Sequence, residues 1–278
     1  MAFGGENAES YYDEGLTAAM KGDTDAALEH FNKALQMDPS LGAAAYQIGR
    51  CQLRLGQAQK AVQTLSGVLT RMPRMTAARA ELAYAYLLMN HVDGARKLFG
   101  EVLDEKPGQP TAILGLGYCA FQQAQWDTAM ALADRLMGGS GAERFEALYL
   151  SARAAHMLKL RDMAATRLQS ADDLLNQIIE TSPDQPEGLY LRGQIHFLLG
   201  EPVKSLDNFR SAETRTQPDK HYCAYHEHFE LLDVLAGQGW CMRQMGNDAG
   251  AKEIGRRILE IRPNSKRGRR LAGDSAAE

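Results

Sequence analysis

Three of the chain's seven histidines fall in one run of eight residues, His221-Tyr222-Cys223-Ala224-Tyr225-His226-Glu227-His228, together with one of its four cysteines. Read as a helix, this run puts Cys223, His226 and Glu227 on one face by i, i+3 and i, i+4 spacing, and those donor types could bind zinc. His221 and His228 fall on other faces. A zinc site needs four converging ligands, and the paired spacing that usually supplies them is absent. The expectation is no metal and no cofactor. A lengthened helix across the 220–231 insertion would instead carry Tyr222, Tyr225 and Phe229 into packing or onto a binding surface, and the histidines allow a pH-sensitive contact there.

The other cysteines lead away from chemistry. Cys51, Cys119 and Cys241 each follow a glycine by two residues (Gly49, Gly117, Gly239), and Ala85 and Ala154 fill the corresponding place elsewhere. A position shared by Cys and Ala is a small buried packing site, so these thiols read as structural. Reduced cysteines suit the cytosol. Residues 1–10 have no basic or apolar leader pattern, and eighteen apolar residues never run together, so cytoplasm is the default. There is no P-loop, no G-x-S-x-G and no H-E-x-x-H, so the sequence predicts no enzyme.

The elements that hold these residues repeat. In residues 8–41, Gly15 lies within an apolar-periodic segment, Gly22 follows it, Ala27, Phe31 and Ala34 lie on one face of a second segment, and Pro39 closes the unit. Moving on by 34 residues finds Gly49, Gly56, Ala61, Leu65, Val68 and Pro73, then Ala83, Asn90, Ala95, Phe99, Val102 and Pro107. These positions resemble the tetratricopeptide repeat, a helical hairpin of this period. The likeness spans residues 8–265. It continues through Gly117, Ala124, Ala129 and Leu136, then Ala152, Ala164, Leu168 and Ala171. A sixth unit has Gly193, Gly200, Ser205, Phe209, Ala212 and Pro218, and a seventh has Gly239, Gly246, Ala251, Ile258 and Pro263. Ala133 and Gly255 replace a large second-helix residue and Ala142 a closing proline, so weaker packing is expected there.

The resemblance implies an all-α right-handed superhelical solenoid of about seven helix-turn-helix repeats. Residues 1–7 form an N-terminal tail, 8–137 repeats one to four, and 138–144 a glycine-rich linker that reads as a hinge. Residues 145–265 form repeats five to seven, with a second helix lengthened over 172–182 and the 220–231 insertion. Residues 266–278 are a basic, then polar, C-terminal tail.

The resemblance also implies that the first helix of each repeat lines a concave groove that meets a ligand. Its outward positions read Tyr12; Tyr46 with Arg50 and Arg54; Tyr84; Tyr118 with Phe121; Tyr149 with Arg153 and His156; Tyr190 with Phe197; and Trp240 with Arg243. Tyr, Trp and Arg anchor interfaces, so this row suits an apolar helix or an extended peptide with acidic groups. The same tyrosines could instead pack against neighbouring helices. A carboxylate clamp of the chaperone-binding kind is not expected, because its places hold Tyr12, Leu16, Gln47, Ala77 and Glu81. Secretion and assembly chaperones with aromatic grooves are nearer in surface character.

The expected role is a non-catalytic adaptor or assembly scaffold with a protein or peptide partner. A carrier of a small apolar ligand and a regulatory subunit of an enzyme complex are the alternatives. Net charge runs from −6 over residues 1–41 to +4 over residues 252–278, which allows head-to-tail self-association. The chain as a whole carries −4 and Lys266–Arg270 has no interleaved aromatics, so no nucleic acid is expected.

Overall fold

The computed structural model describes residues 7–181 and 185–274, so the expectations that touch residues 1–6, 182–184 and 275–278 lie outside it. The described chain divides into two compact units, residues 1–136 and 137–278.

The first unit holds α1 (Ala8–Met20), α2 (Thr24–Met37), α3 (Gly42–Arg54), α4 (Ala58–Arg71), α5 (Thr76–Leu88), α6 (Val92–Glu105), α7 (Pro110–Gln122) and α8 (Trp126–Asp134). Consecutive helices pair as antiparallel hairpins, and each hairpin packs on the next. The second unit holds α9 (Gly141–Met157), α10 (Arg161–Thr181), α11 (Pro186–Leu198), α12 (Pro202–Glu213), α13 (Leu231–Gln244), α14 (Asp248–Ile261) and α15 (Lys266–Ala272), with a two-stranded antiparallel sheet of β1 (Tyr222–Ala224) and β2 (Glu227–Phe229) between α12 and α13. The fold is an all-α repeat solenoid.

One turn recurs in every hairpin. Gly22, Gly56, Asn90, Ala124, Lys159, Gly200 and Gly246 end the first helix with φ between 58° and 79°. The next residue donates its N–H to a carbonyl five residues back, as Asp23 does to Ala18 and His91 to Tyr86, at 3.0 and 2.8 Å. This is the Schellman pattern, which satisfies helix-end carbonyls and reverses the chain. It appears even where Ala124 and Lys159 must take the left-handed conformation without help from glycine.

The hairpins close because small residues face large ones. A methyl group on Gly15 would lie 2.6 Å from the Phe31 ring, and one on Gly49 would lie 2.6 Å from Leu65. Phe31, Leu65, Phe99 and Phe209 sit in the core clusters so formed. Gly255 does not leave the weak packing that its size suggested. The backbone of α15 fills the space, and a methyl group there would stand 2.4 Å from the Ala272 nitrogen. Ala133 is likewise fully buried.

Three segments differ from the sequence reading. The 220–231 insertion is a β-hairpin rather than a helix, because its two turn residues, Tyr225 and His226, both take positive φ (49° and 60°) and pair Ala224 with Glu227 across a two-residue loop. Within 138–144, residues 141–144 already form the first turn of α9. Residues 266–272 of the basic tail are helical, and α15 seals the end of α13 and α14 with Leu271 buried.

Candidate functional site

In the first unit, α3 touches α5 and α5 touches α7, so three first helices stand side by side. Tyr84 of α5 lies at the centre, 5% exposed, and its hydroxyl donates to the Thr111 carbonyl at 2.9 Å. Tyr46 of α3 and Tyr118 of α7 are half-buried against the same cluster, Tyr118 edge-on to Tyr84 with centroids 6.5 Å apart. Arg50 lies over Tyr46, its guanidinium carbon 5.9 Å from the ring centre. It donates to Gln47 Oε1 at 3.1 Å and approaches the Glu81 carboxylate at 3.4 Å. Burial, then the Glu81 charge, raises the Tyr46 phenol above its ordinary pKa. Arg54 is exposed at the end of α3. Phe121 meets Trp126 of α8 edge-on at 4.8 Å, and Tyr12 tilts against Phe31 at 5.6 Å. The face therefore has an aromatic floor, half-exposed aromatic edges and an arginine side.

In the second unit the equivalent side chains are covered. Tyr149 is 1% exposed and donates to Gln194 Oε1 at 2.6 Å, while Tyr190 is 7% exposed and stacks on Phe229 of β2 with centroids 4.0 Å apart and planes at 9°. Burial raises both phenol pKa values far above the usual range. Arg153 lies 5.3 Å from the Tyr149 ring centre and pairs with Glu227 of the hairpin. Tyr225, whose phenol burial pushes up to about 12, packs on Phe145 at 4.6 Å, and His226 Nδ1 is 3.0 Å from Glu146 Oε1. Thus Tyr84, Tyr149 and Tyr190 belong to the interior rather than to an open surface. In the second unit the chain's own hairpin lies on α9 and α11. Phe197 is half-buried in the cluster around Tyr190 and Phe209, and His156 is exposed at the end of α9.

Trp240 stands apart on α13, with the guanidinium carbons of Arg243 and Arg270 5.4 and 5.1 Å from its ring. Arg243 also donates to the Arg270 carbonyl at 2.6 Å and to that of Leu271 at 3.2 Å, so it serves the end of α15. The basic finish is largely consumed at home: Arg257 pairs with Glu213, Arg262 with Glu230 and Arg267 with Asp233.

The helical face proposed for Cys223, His226 and Glu227 does not exist, since they occupy β1, the turn and β2. Cys223 Sγ lies 3.6 Å from His228 Nε2, and His228 Nδ1 lies 2.8 Å from His221 Nε2. Among the described residues, no group of three His, Cys, Asp or Glu side chains could hold a metal ion. Cys51, Cys119 and Cys241 are buried, and burial pushes the first two thiols up to about 11, which keeps them protonated and unreactive.

Repeated Schellman turns with small-against-large helix crossings define the hairpin, and the tetratricopeptide repeat model matches residues 18–71, 56–101 and 90–154. The chain belongs to the tetratricopeptide repeat family. Over 131 residues it is 30% identical to cellulose synthase operon protein C of Xanthomonas axonopodis, a match that covers 46% of this chain and 8% of that relative's length. A solved tetratricopeptide repeat protein from Parabacteroides merdae matches 97% of this chain and 98% of its own, at TM-score 0.56 and 16% identity. The Cut9–Hcn1 structure, an APC/C hetero-tetramer, matches 95% of this chain and 48% of its own at 0.68 and 15%. PilW, a type IV pilus biogenesis factor, matches 84% and 99% at 0.57 and 16%. At such identities the likeness shows the fold alone. A tetratricopeptide repeat array is a scaffold for protein–protein interaction. No helix among the described residues is long and apolar enough to cross a membrane.

Proposed function

We propose that this chain is a non-catalytic scaffold that binds a peptide or helix on the α3–α5–α7 face of its first unit, with Tyr46 and Tyr118 as apolar anchors and Arg50 and Arg54 as partners for acidic groups. The observation that carries this reading is the Arg50–Tyr46 pair, in which an arginine with a 46% exposed side chain is held over a half-exposed ring. An aromatic ring and a positioned guanidinium are the side chains that concentrate binding energy in interfaces. The buried Tyr84 between α3 and α7 fixes the spacing of the two edges, so little ordering is left to the moment of binding. Phe121 extends the apolar side toward α8.

The test is peptide display against the purified chain, followed by titration of the enriched peptides. Tyr46→Ala and Arg50→Glu should each weaken binding by about 2 kcal/mol, roughly thirtyfold, with the melting temperature little changed. Lys97→Ala, on α6, should leave affinity unaltered. Enriched peptides that bind all four proteins equally would remove the reading.

A further inference from the structure

The β-hairpin is an addition to the repeat, lying between the sixth and seventh helix pairs, and its two ends differ. Its base belongs to the core: Tyr222 and Phe229 are buried in one cluster with Tyr190 and Phe209. Its tip, by contrast, consists of half-exposed residues laid along α9. Tyr225 covers Phe145, His226 meets Glu146, and Glu227 pairs with Arg153. Three consecutive side chains thus read one helix in order. The tip is also conformationally costly, because Tyr225 and His226 both sit in the left-handed region that glycine or asparagine fills in most two-residue turns. Its polar contacts are one ion pair between two partly exposed groups, Arg153 and Glu227, and one contact of the partly exposed His226 with the buried Glu146.

The covered helix carries the same device as the open face of the first unit. Tyr149 and Arg153 are four residues apart with the guanidinium over the ring, as are Tyr46 and Arg50. On α9 that arginine already holds the carboxylate of an extended segment.

We propose that the α9 face from Phe145 to Arg153 is a second binding site, closed in the free chain by the hairpin tip as its own ligand, and that it accepts from a partner a segment with an aromatic residue two positions before an acidic one. The aromatic side chain takes the seat of Tyr225 on Phe145, and the acid takes that of Glu227 on Arg153. The base of the hairpin stays in the core while the tip lifts. This site is separate from the α3–α5–α7 face and stands whether or not that face binds.

The probe is a fluorescent peptide of residues 221–229 with Cys223→Ser, titrated by anisotropy into the full chain. The unaltered chain should bind it weakly, because the tip competes. Glu227→Arg sets the tip against Arg153, so affinity should rise at least about tenfold. Adding Arg153→Glu restores a cis ion pair of reversed sign and also sets a carboxylate against the acid of the probe, so affinity should fall below that of the original chain. Glu227→Gln offers the milder form of the first change if Glu227→Arg does not fold, with a smaller rise expected. A Glu227 variant with unchanged circular dichroism that binds no better than the original chain would overturn the proposal. So would loss of the gain when Arg50→Glu is added, since that would assign the peptide to α3.

Discussion

Phe229 of β2 lies flat on Tyr190 of α11, their ring centres 4.0 Å apart and their planes 9° from parallel, while Tyr222 stacks on the other strand at 5.3 Å from Phe229. A row of three aromatic rings therefore ties the hairpin base to the helical repeat. Offset stacking adds about 0.5–1.5 kcal/mol per pair to the burial of such large side chains.

Removal of the middle ring tests whether the base is core. Phe229→Ala should destabilise the chain by about 3–5 kcal/mol, the range of a buried phenylalanine truncation. Chemical denaturation followed by circular dichroism measures it. A loss below about 1 kcal/mol would mean that the hairpin is held loosely along its whole length.

The repeat was legible because its signals are chemical as well as periodic: a glycine or asparagine where φ must be positive, and small residues where a Phe or Leu side chain must approach. The fifth turn was hidden, since Lys159 takes the left-handed conformation with no compositional sign of it. The hairpin was hidden for the same reason doubled. Tyr225-His226 carries none of the Asn-Gly or Gly-rich marks of a two-residue turn, and the i, i+3 and i, i+4 spacing around it imitated a helix. Arg50 and Tyr46 could be placed on an outward face from register alone. Nothing in that register told Tyr118, half-exposed, from Tyr84, which is buried and whose hydroxyl donates to the Thr111 carbonyl of α7.

Acid should loosen the hairpin. Burial, then the charges of His221 and His226, push the His228 pKa from the ordinary 6.5 to about 3, and burial lowers that of His221 against the pull of Glu230 and Asp233. The 2.8 Å His221–His228 contact also needs one ring to accept, so the pair cannot be doubly protonated. The unfolded chain takes up the His228 proton near pH 6.5 and the folded chain does not, so this contribution to stability is whole above pH 6.5 and is lost progressively between 6.5 and about 3. Each further unit of pH then removes up to about 1.4 kcal/mol per proton. Urea midpoints between pH 7.5 and 5, a window above most carboxylate titration, should fall more steeply for the original chain than for His228→Gln. Equal slopes would contradict the account.

The turns make an independent prediction of opposite sign. Ala124 holds φ at 58° where Gly22 and Gly56 stand in earlier repeats. A left-handed L-residue costs about 1–2 kcal/mol that glycine avoids, partly offset by glycine's greater freedom when unfolded. Ala124→Gly should therefore stabilise by about 1 kcal/mol, and Gly56→Ala should destabilise by a similar amount. A thermal melt of each variant reads the sign directly.

Three glycines separate close approach from conformational freedom. Gly67 lies exposed in α4, and a methyl group added to it would meet nothing within 4 Å, so Gly67→Ala gains helix propensity alone and should stabilise by about 0.5–1 kcal/mol. Gly49 faces Leu65 at 2.6 Å, and Gly49→Leu should cost about 1–3 kcal/mol by overpacking a crossing that can yield only through a buried side chain. Gly255 is the severest case, because the atoms at 2.4 and 2.8 Å are backbone of α15 and cannot rotate away. Even Gly255→Ala must push α15 off α14, uncovering Leu271 and breaking the Arg243 contacts to the last carbonyls. The expected result is a loss larger than for Gly49→Ala, together with faster hydrogen exchange confined to residues 266–272. If Gly255→Ala melts like the original chain, α15 is not docked where the close approach places it.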